Sequence, residues 1–175
     1  RKEFAEQKAN ECMKALIKIV PISGEIFSFK QNAAIGENII IESLKEIEKD
    51  QEYNLKALKE FLKDYNGIKL YRDVYRIGFL GDKENDWIKL QQFRTKGQQW
   101  YRFDLGNTVG YVSVRDPEQK NIQEISSRLD INQNEVSYAF KMLIGIVFNN
   151  LFYELNRKSN DIIKVLLTEN GLLED

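Results

Sequence analysis

The stretch "IKLYRDVYRIGF", residues 68–79, is where the hydrophobic pattern of the chain changes its period. Before it, apolar residues recur three and four positions apart, as they do on one face of a helix. From Ile68 onward, short runs rich in aromatic and β-branched residues are separated by glycine and charged residues, a pattern typical of strands and turns. The sequence therefore predicts helices first and a sheet second.

Four strands are predicted in this central part, over residues 69–79, 87–94, 99–105 and 109–115. Their connections, "GDKEND", "TKG" and "GNT", are short enough for antiparallel hairpins. In the third strand, Tyr101, Phe103 and Leu105 alternate with Trp100, Arg102 and Asp104. We therefore expect one packed face and one face that is wet or faces a ligand.

Helical patterns lie before the sheet. Apolar residues over 5–19 share one helix face, and Pro21 ends that run. Ser23 can cap a short helix through Phe29, and further amphipathic helices are predicted over residues 33–50 and 55–65. The pair Asn66-Gly67 is a stop signal for the last of these.

Helical patterns also follow the sheet. Three helices are predicted here. The first covers residues 118–129, the second is a long helix that Asn134 can cap and that runs to about Arg157, and the third is a short helix over 160–169. The predicted fold class is α+β, with a central antiparallel sheet of about four strands flanked by N-terminal and C-terminal helices. Residues 1–66 are predicted to be a helical segment, and residues 67–175 an α+β domain.

Composition restricts the function. The chain has 175 residues, 42% of them hydrophobic and 30% charged, which are ordinary values for a soluble globular protein. No run approaches the roughly 20 apolar residues that cross a bilayer, so a cytoplasmic protein without a membrane partner is expected. A single cysteine, Cys12, cannot form an internal disulfide.

The chain contains no histidine, which excludes Ser-His-Asp and Cys-His catalysis and the common histidine zinc sites. Asp82, Glu84 and Asp86 have the spacing of a calcium loop, but Trp87 stands where that loop needs glycine. We therefore predict no catalytic residues, no metal, no cofactor and no enzymatic activity.

Residues 122–143, "IQEISSRLDINQNEVSYAFKML", match the apolar positions of a helix-turn-helix. The charge argues against DNA binding, which depends on neutralising phosphates with Lys and Arg. Residues 116–175 contain six basic and ten acidic residues, and the candidate reading helix continues into the apolar run "LIGIVFNNLF". A helix packed in the core is the favoured interpretation, and nucleic acid is not the expected partner.

Positive charge is concentrated in the central part, where residues 68–115 contain nine basic and five acidic residues and nine of the twenty aromatic residues. Arg94, Lys96, Trp100 and Arg102 form the tightest group, on adjacent predicted strands around one turn. Basic side chains between aromatic ones can hold a phosphorylated ligand through charge-assisted hydrogen bonds and stacking. These four residues are the predicted ligand site; the alternative is a solvated face that binds nothing.

The stretch "VGYVSVRD", followed by "NEVSYAFKMLIGIVFNNLFYELNRKS", resembles the closing strand and final helix of a GAF-type sensor domain. The resemblance covers about 50 residues, and "NNLFYELNR" fills the place of the Asn-x-x-Tyr-like run that ends the family's last helix. It implies a GAF/PAS-like antiparallel sheet flanked by helices, pairing through terminal helices, and a cyclic nucleotide, another small ligand or none. The chain departs from the family in having few strands before residue 115 and an extra helix before the last one, and no ligand residue of the family carries over.

The predicted function is a non-enzymatic sensor or protein-interaction module. Its expected partners are an anionic small molecule such as a nucleotide and a second copy of the chain, bound through the long C-terminal helix. Two alternatives stay open: a helix-turn-helix DNA-binding regulator using residues 122–143, and a structural or assembly protein whose N-terminal helices bind a partner.

Overall fold

The computed structural model describes residues 2–28, 55–91, 103–169 and 171. Helix α1 (Lys2–Leu16) is followed by a 3-10 turn (Ile17–Ile19), strand β1 (Ile22–Ser28), helix α2 (Leu55–Tyr65) and strands β2 (Gly67–Arg72), β3 (Tyr75–Arg76) and β4 (Thr108–Val114). The chain then forms one long helix, which consists of α3 (Glu135–Ile146), a π-helical segment (Val147–Phe152) and α4 (Tyr153–Glu169).

The α+β class is confirmed, with a four-stranded sheet and helices at both ends of the chain. The strand order is β1-β4-β2-β3; the β1–β4 and β2–β3 pairs are antiparallel, and the β2–β4 pair is parallel. The sheet is therefore mixed. The parallel strands β2 and β4 are separated by 35 residues and are not joined by a hairpin. A parallel neighbour needs such a long crossover connection.

Strand β1 occupies the place where a short helix capped by Ser23 was predicted, and that prediction is wrong. Ile22 and Ile26 alternate along the strand and pack against the core, opposite Val114 and Gly110 of β4. A Cβ atom at Gly110 would collide with the carbonyl oxygen of Glu25. Glycine thus permits the close strand contact, which is made with residues nearly 90 positions away and outweighs local helix propensity.

One face of the sheet is packed under helices. Tertiary contacts join α1 to α3 over the inner face, and Ile68, Leu70, Val112 and Val114 supply the sheet's part of the core. The helical part consists of Ala15, Leu16, Ile19, Val136, Ala139, Phe140, Ile144 and Phe148. Within the described residues, apolar side chains therefore pack the inner face.

The predicted strand over residues 69–79 is divided into the β2–β3 hairpin, which turns at Asp73 and Val74. The prediction of a strand from Trp87 is wrong for the described residues 87–91. The Asp86 carboxylate accepts hydrogen bonds from the amides of Leu90 and Gln91 at 2.9 and 2.8 Å, and a helical turn begins there. Residues 103–105 form no strand either. The rest of these two predicted strands, like the predicted helix over 33–50, lies outside the described residues.

The predicted helix over residues 118–129 is also wrong, because these residues form turns around the buried carboxylate of Asp116. This carboxylate accepts hydrogen bonds from the backbone amide of Ile122 at 2.8 Å, and from the amide and side chain of Asn121 at 2.8 and 2.9 Å. Polar side chains that bond to nearby backbone groups compete with helix formation. The helix-turn-helix pattern therefore lacks its first helix.

Asn134 caps the long helix as predicted. Its side chain accepts a hydrogen bond from the amide of Ser137 at 2.8 Å, and the Ser137 hydroxyl accepts one from the Asn134 amide at 2.9 Å. The helix does not break near residue 160, where a separate third helix was predicted, but continues to Glu169.

One part of this helix, Glu135–Ser159, is long and apolar enough to cross a bilayer by length and composition, with 25 residues and a mean hydropathy of 1.2. Of the most apolar stretch of 18 residues in this part, 33% is buried inside the protein. A core helix can pass the same test, and the buried face is the one that packs on the sheet.

Asp116 should make the stability of the fold depend on pH. Burial raises the pKa of its carboxyl group, but the hydrogen bonds from Ile122, Asn121 and Lys120 outweigh burial and hold that pKa below its ordinary value. A carboxyl with a lowered folded-state pKa stabilises the fold above its unfolded pKa, about 4, and this contribution is lost as the pH falls through the folded pKa.

We expect Asp116→Asn to lower the free energy of unfolding by about 1–3 kcal/mol at pH 7, because backbone amides lose a charged acceptor. The difference from the wild type should shrink below about pH 4. Urea denaturation followed by tryptophan fluorescence between pH 7 and pH 3 measures both effects. Glu118→Gln is the control, since that exposed carboxylate pairs with exposed Lys120; a difference of the same size at pH 3 as at pH 7 would contradict the assignment.

Asn134→Ala should cost about 1–2 kcal/mol of unfolding free energy, because it removes the cap of the long helix and the hydrogen bond to the carbonyl of Asn121 at 2.8 Å. Chemical denaturation measures the loss. Asn150→Ala, at an exposed position of the same helix, should change the stability by less than about 0.5 kcal/mol.

Candidate functional site

The predicted ligand site, Arg94, Lys96, Trp100 and Arg102, lies outside the described residues. The neighbouring basic residues of the hairpin are described, and three of them are engaged within the protein. Arg72 donates to the carbonyl of Ile122 at 2.8 Å and to the side chain of Gln119 at 3.1 Å. Arg76 is bonded to Asp82.

Lys69 is the third engaged cation. Its ammonium donates to the carbonyl oxygens of Asn66 and Gly81, the latter at 2.7 Å, and lies 3.8 Å from the carboxylate of Asp82. Burial lowers the pKa of Lys69, and the carboxylate of Asp82 opposes that effect. The basic side chains of β2 and β3 thus bind groups of the neighbouring loops. They do not line an open site for an anion.

The outer face of the sheet, opposite the core, carries a shallow depression of about 320 Å³. It is lined by Tyr71, Asp73, Tyr111 and Ser113. Tyr111 is 38% exposed, so this face is open between β2 and β4. The alternation of the strands predicts which residues share this face, but the sequence gives no signal that two tyrosines 40 positions apart meet.

A second surface is an apolar row along the long helix, which we name the helix stripe. Eight large apolar side chains that are 37% to 61% exposed belong to it. They are Tyr138, Met142, Ile146, Leu151, Leu155, Ile162, Val165 and Leu166. Single exposed leucines are normal on a protein surface, whereas a contiguous row of this kind marks a contact surface.

The π-helical segment keeps this row on one side of the helix. The step from Tyr138 to Met142 and on to Ile146 is four residues, and the step from Ile146 to Leu151 across the π segment is five. A π helix closes its hydrogen bonds over five residues. Leu151 therefore lies close to the line of the preceding residues, and the row continues along α4.

The opposite side of the π segment is held in the core by aromatic contacts. The ring of Phe103 lies 5.8 Å from that of Phe148 and 5.4 Å from that of Phe152. Phe148 is 1% exposed. The long helix therefore has one face fixed in the protein and another, the helix stripe, that contacts solvent.

A groove of about 280 Å³ runs between α1 and α3 and is lined by lysines, glutamates and Tyr138. The Lys8 ammonium lies 5.4 Å from the centre of the Tyr138 ring, in a cation–π contact. The Lys8 ammonium donates a hydrogen bond to the Tyr138 hydroxyl, and this bond raises the pKa of Lys8. Cys12 lies half-buried in this groove. Glu11 and Glu135 offset two of the three lysines that line the groove, so its lining is only weakly basic.

The candidate DNA-reading residues of the long helix are mostly engaged in the fold. Ser137 is buried in the helix cap, and Lys141 pairs with the carboxylate of Asp130 at 2.7 Å. Glu135 and Tyr138 line the groove with α1. Within the described ranges, no three acidic or cysteine side chains come close enough to hold a metal ion.

Comparison with known proteins gives no relative: no family model matches the chain, and neither does any curated protein or any solved structure. Function therefore has to be inferred from the geometry of the described residues. In the part of the chain that the structure describes, the helix stripe and the tyrosine-lined depression are two surfaces that the packing of the core does not explain.

Proposed function

We propose that the chain is a non-enzymatic, sensor-type interaction module of the cytoplasm that pairs with a second copy of itself through the helix stripe. The observation that carries this proposal is the row of large apolar side chains that stay exposed on a helix whose other face is fixed in the core. The GAF-type resemblance of the last strand and helix supports it, since such domains often pair through their terminal helices.

The size of the helix stripe suits a dimer. From Tyr138 to Leu166 it extends about 42 Å at a rise of about 1.5 Å per residue. A leucine-sized side chain has roughly 100 Å² of apolar surface, and half of that remains exposed here. Two stripes would thus bury roughly 800 Å² of apolar surface, and about 1,300 Å² in total if about 60% of the interface is apolar. Specific interfaces bury about 1,200–2,000 Å².

A second copy is the favoured occupant because the row is self-complementary. Most oligomers of soluble proteins are symmetric dimers in which the same patch contacts itself. Lys158 interrupts the row between Leu155 and Ile162; its aliphatic stem can cover apolar surface while the ammonium reaches the rim. Glu154 and Arg157 pair with each other at 2.8 Å on α4, so their opposite charges are compensated within one copy.

The predicted anionic ligand is the other half of the sensor proposal. It rests on Arg94, Lys96, Trp100 and Arg102, and a nucleotide that raises the melting temperature of the wild type but not of Arg94→Ala or Arg102→Ala would support it.

The pairing is tested by sedimentation equilibrium of the full chain. We expect a concentration-dependent dimer for the wild type, and a dimer at least about a hundredfold weaker for the double variant Leu155→Glu, Ile162→Glu, since two charges per copy enter the apolar contact. Arg157→Glu is the matched control: it changes the net charge by the same −2 but lies away from the helix stripe, and it should leave the dimer intact.

Two outcomes would overturn the proposal. One is a wild type that stays monomeric up to about millimolar concentration, at which even weak pairing is visible. The other is a wild type that sediments with lipid vesicles and loses this binding in the double variant, which would make the bilayer the occupant of the helix stripe. Unchanged far-ultraviolet circular dichroism in both variants shows that folding is preserved.

A further inference from the structure

We infer that the depression on the outer face of the sheet, lined by Tyr71, Asp73, Tyr111 and Ser113, binds an alkylated ammonium group. The site is built from two aromatic rings and one carboxylate. It is separate from the helix stripe, and it does not depend on the pairing of two copies.

The two tyrosine rings pack edge to face beside the depression. Their ring centres are 6.0 Å apart, and the ring planes meet at 86°. The register of β2 and β4 places Lys69 opposite Tyr111 and Tyr71 opposite Ser113, so the rings are diagonal neighbours on one face. The faces of aromatic rings carry negative charge density, which attracts an ammonium group within about 6 Å of the ring centre.

Asp73 supplies the charge of the site. It lies at the β2–β3 turn with a φ of 53°, and it is held there by hydrogen bonds from its amide to the carbonyl of Val114 at 2.8 Å and from the Ser113 hydroxyl to its own carbonyl at 3.3 Å. In the described part of the chain, no basic group forms an ion pair with its half-buried carboxylate. The carboxylate is therefore available to a cationic ligand.

The charges around the depression do not oppose a cation. Lys69 and Arg76 share this face of the sheet, but both are engaged by the carboxylate of Asp82, and Lys69 also by backbone carbonyls. Glu25 of β1 is the partner of Tyr111 across the other edge of β4, so it lies on the same face and adds a second negative charge nearby. Among the lining residues, Asp73 is the only charged one, so an anion would be repelled.

The volume limits the ligand to a small group. About 320 Å³ is at the lower end of ligand pockets, which range from about 300 to 1,000 Å³. A trimethylammonium group suits such a site because its methyl groups contact ring faces while its charge lies near the carboxylate. It can belong to a free small molecule or to a trimethylated lysine of a peptide, and the recognised chemistry is the same.

The test is a titration of the full chain with choline and with 3,3-dimethylbutan-1-ol, in which a carbon atom replaces the charged nitrogen. Nuclear magnetic resonance should show shifts of Tyr71 and Tyr111 with choline, and binding of the neutral analogue at least about tenfold weaker. Asp73→Asn should weaken choline binding about tenfold; asparagine tolerates the positive φ of this turn, so the hairpin is preserved.

Tyr71→Leu should abolish the binding, because one ring wall is removed. Tyr75→Leu is the matched control, since Tyr75 is an exposed tyrosine of the same hairpin whose partner across the strands is Arg72, on the opposite face of the sheet. A parallel titration with a trimethyl-lysine peptide and its unmodified counterpart identifies the source of the cation: tighter binding of the modified peptide than of choline indicates a protein side chain, and the reverse indicates a free small molecule.

Equal affinity for choline and its neutral analogue would falsify the inference, because it would mean that only apolar contact is sensed. The absence of shifts with every trimethylammonium compound would also overturn it, as would an unchanged affinity in both Asp73→Asn and Tyr71→Leu. None of these results bears on the pairing through the helix stripe.

Discussion

The structure depends on the two-sided pairing of β4. This strand has β1 antiparallel on one edge and β2 parallel on the other, and it joins a segment from the N-terminal part of the chain and one from the middle into one sheet. Val112 and Val114 bury one of its faces under the helices, and Tyr111 and Ser113 lie on the other. Gly110 allows β1 to approach closely, so a side chain at this position would disturb the element on which the core is built.

This arrangement gives the sheet one packed face and one open face. The inner face is packed with apolar side chains from α1, α3 and the π segment, whereas the outer face carries the depression lined by Tyr71 and Tyr111. The long helix repeats the same division, with Phe140 and Phe148 buried and the helix stripe exposed. Natural monomers seldom expose a long contiguous apolar surface without a use for it, and both open surfaces are consistent with the interaction module that we propose.

The sequence predicted elements with strong local signals and missed those set by distant contacts. The periodicity of α1 and α2, the composition of β4 and the cap at Asn134 are all local, and they were read correctly. The strand β1 and the parallel β2–β4 pair depend on partners far along the chain, and the turns after Asp116 depend on its hydrogen bonds to Asn121 and Ile122. Of the site, the predicted cations lie outside the described residues, and the pairing of Tyr71 with Tyr111 leaves no trace in either local sequence.

The π segment has a consequence for the tail of the molecule. Its wider turn brings Leu151 under Ile146, so the apolar surfaces of α3 and α4 have a common phase. A residue removed from Val147–Phe152 would rotate everything downstream by roughly 100° about the helix axis and point Leu155 and Ile162 elsewhere, while the body stayed folded. The six residues of the π segment thus set which side of α4 carries its apolar residues.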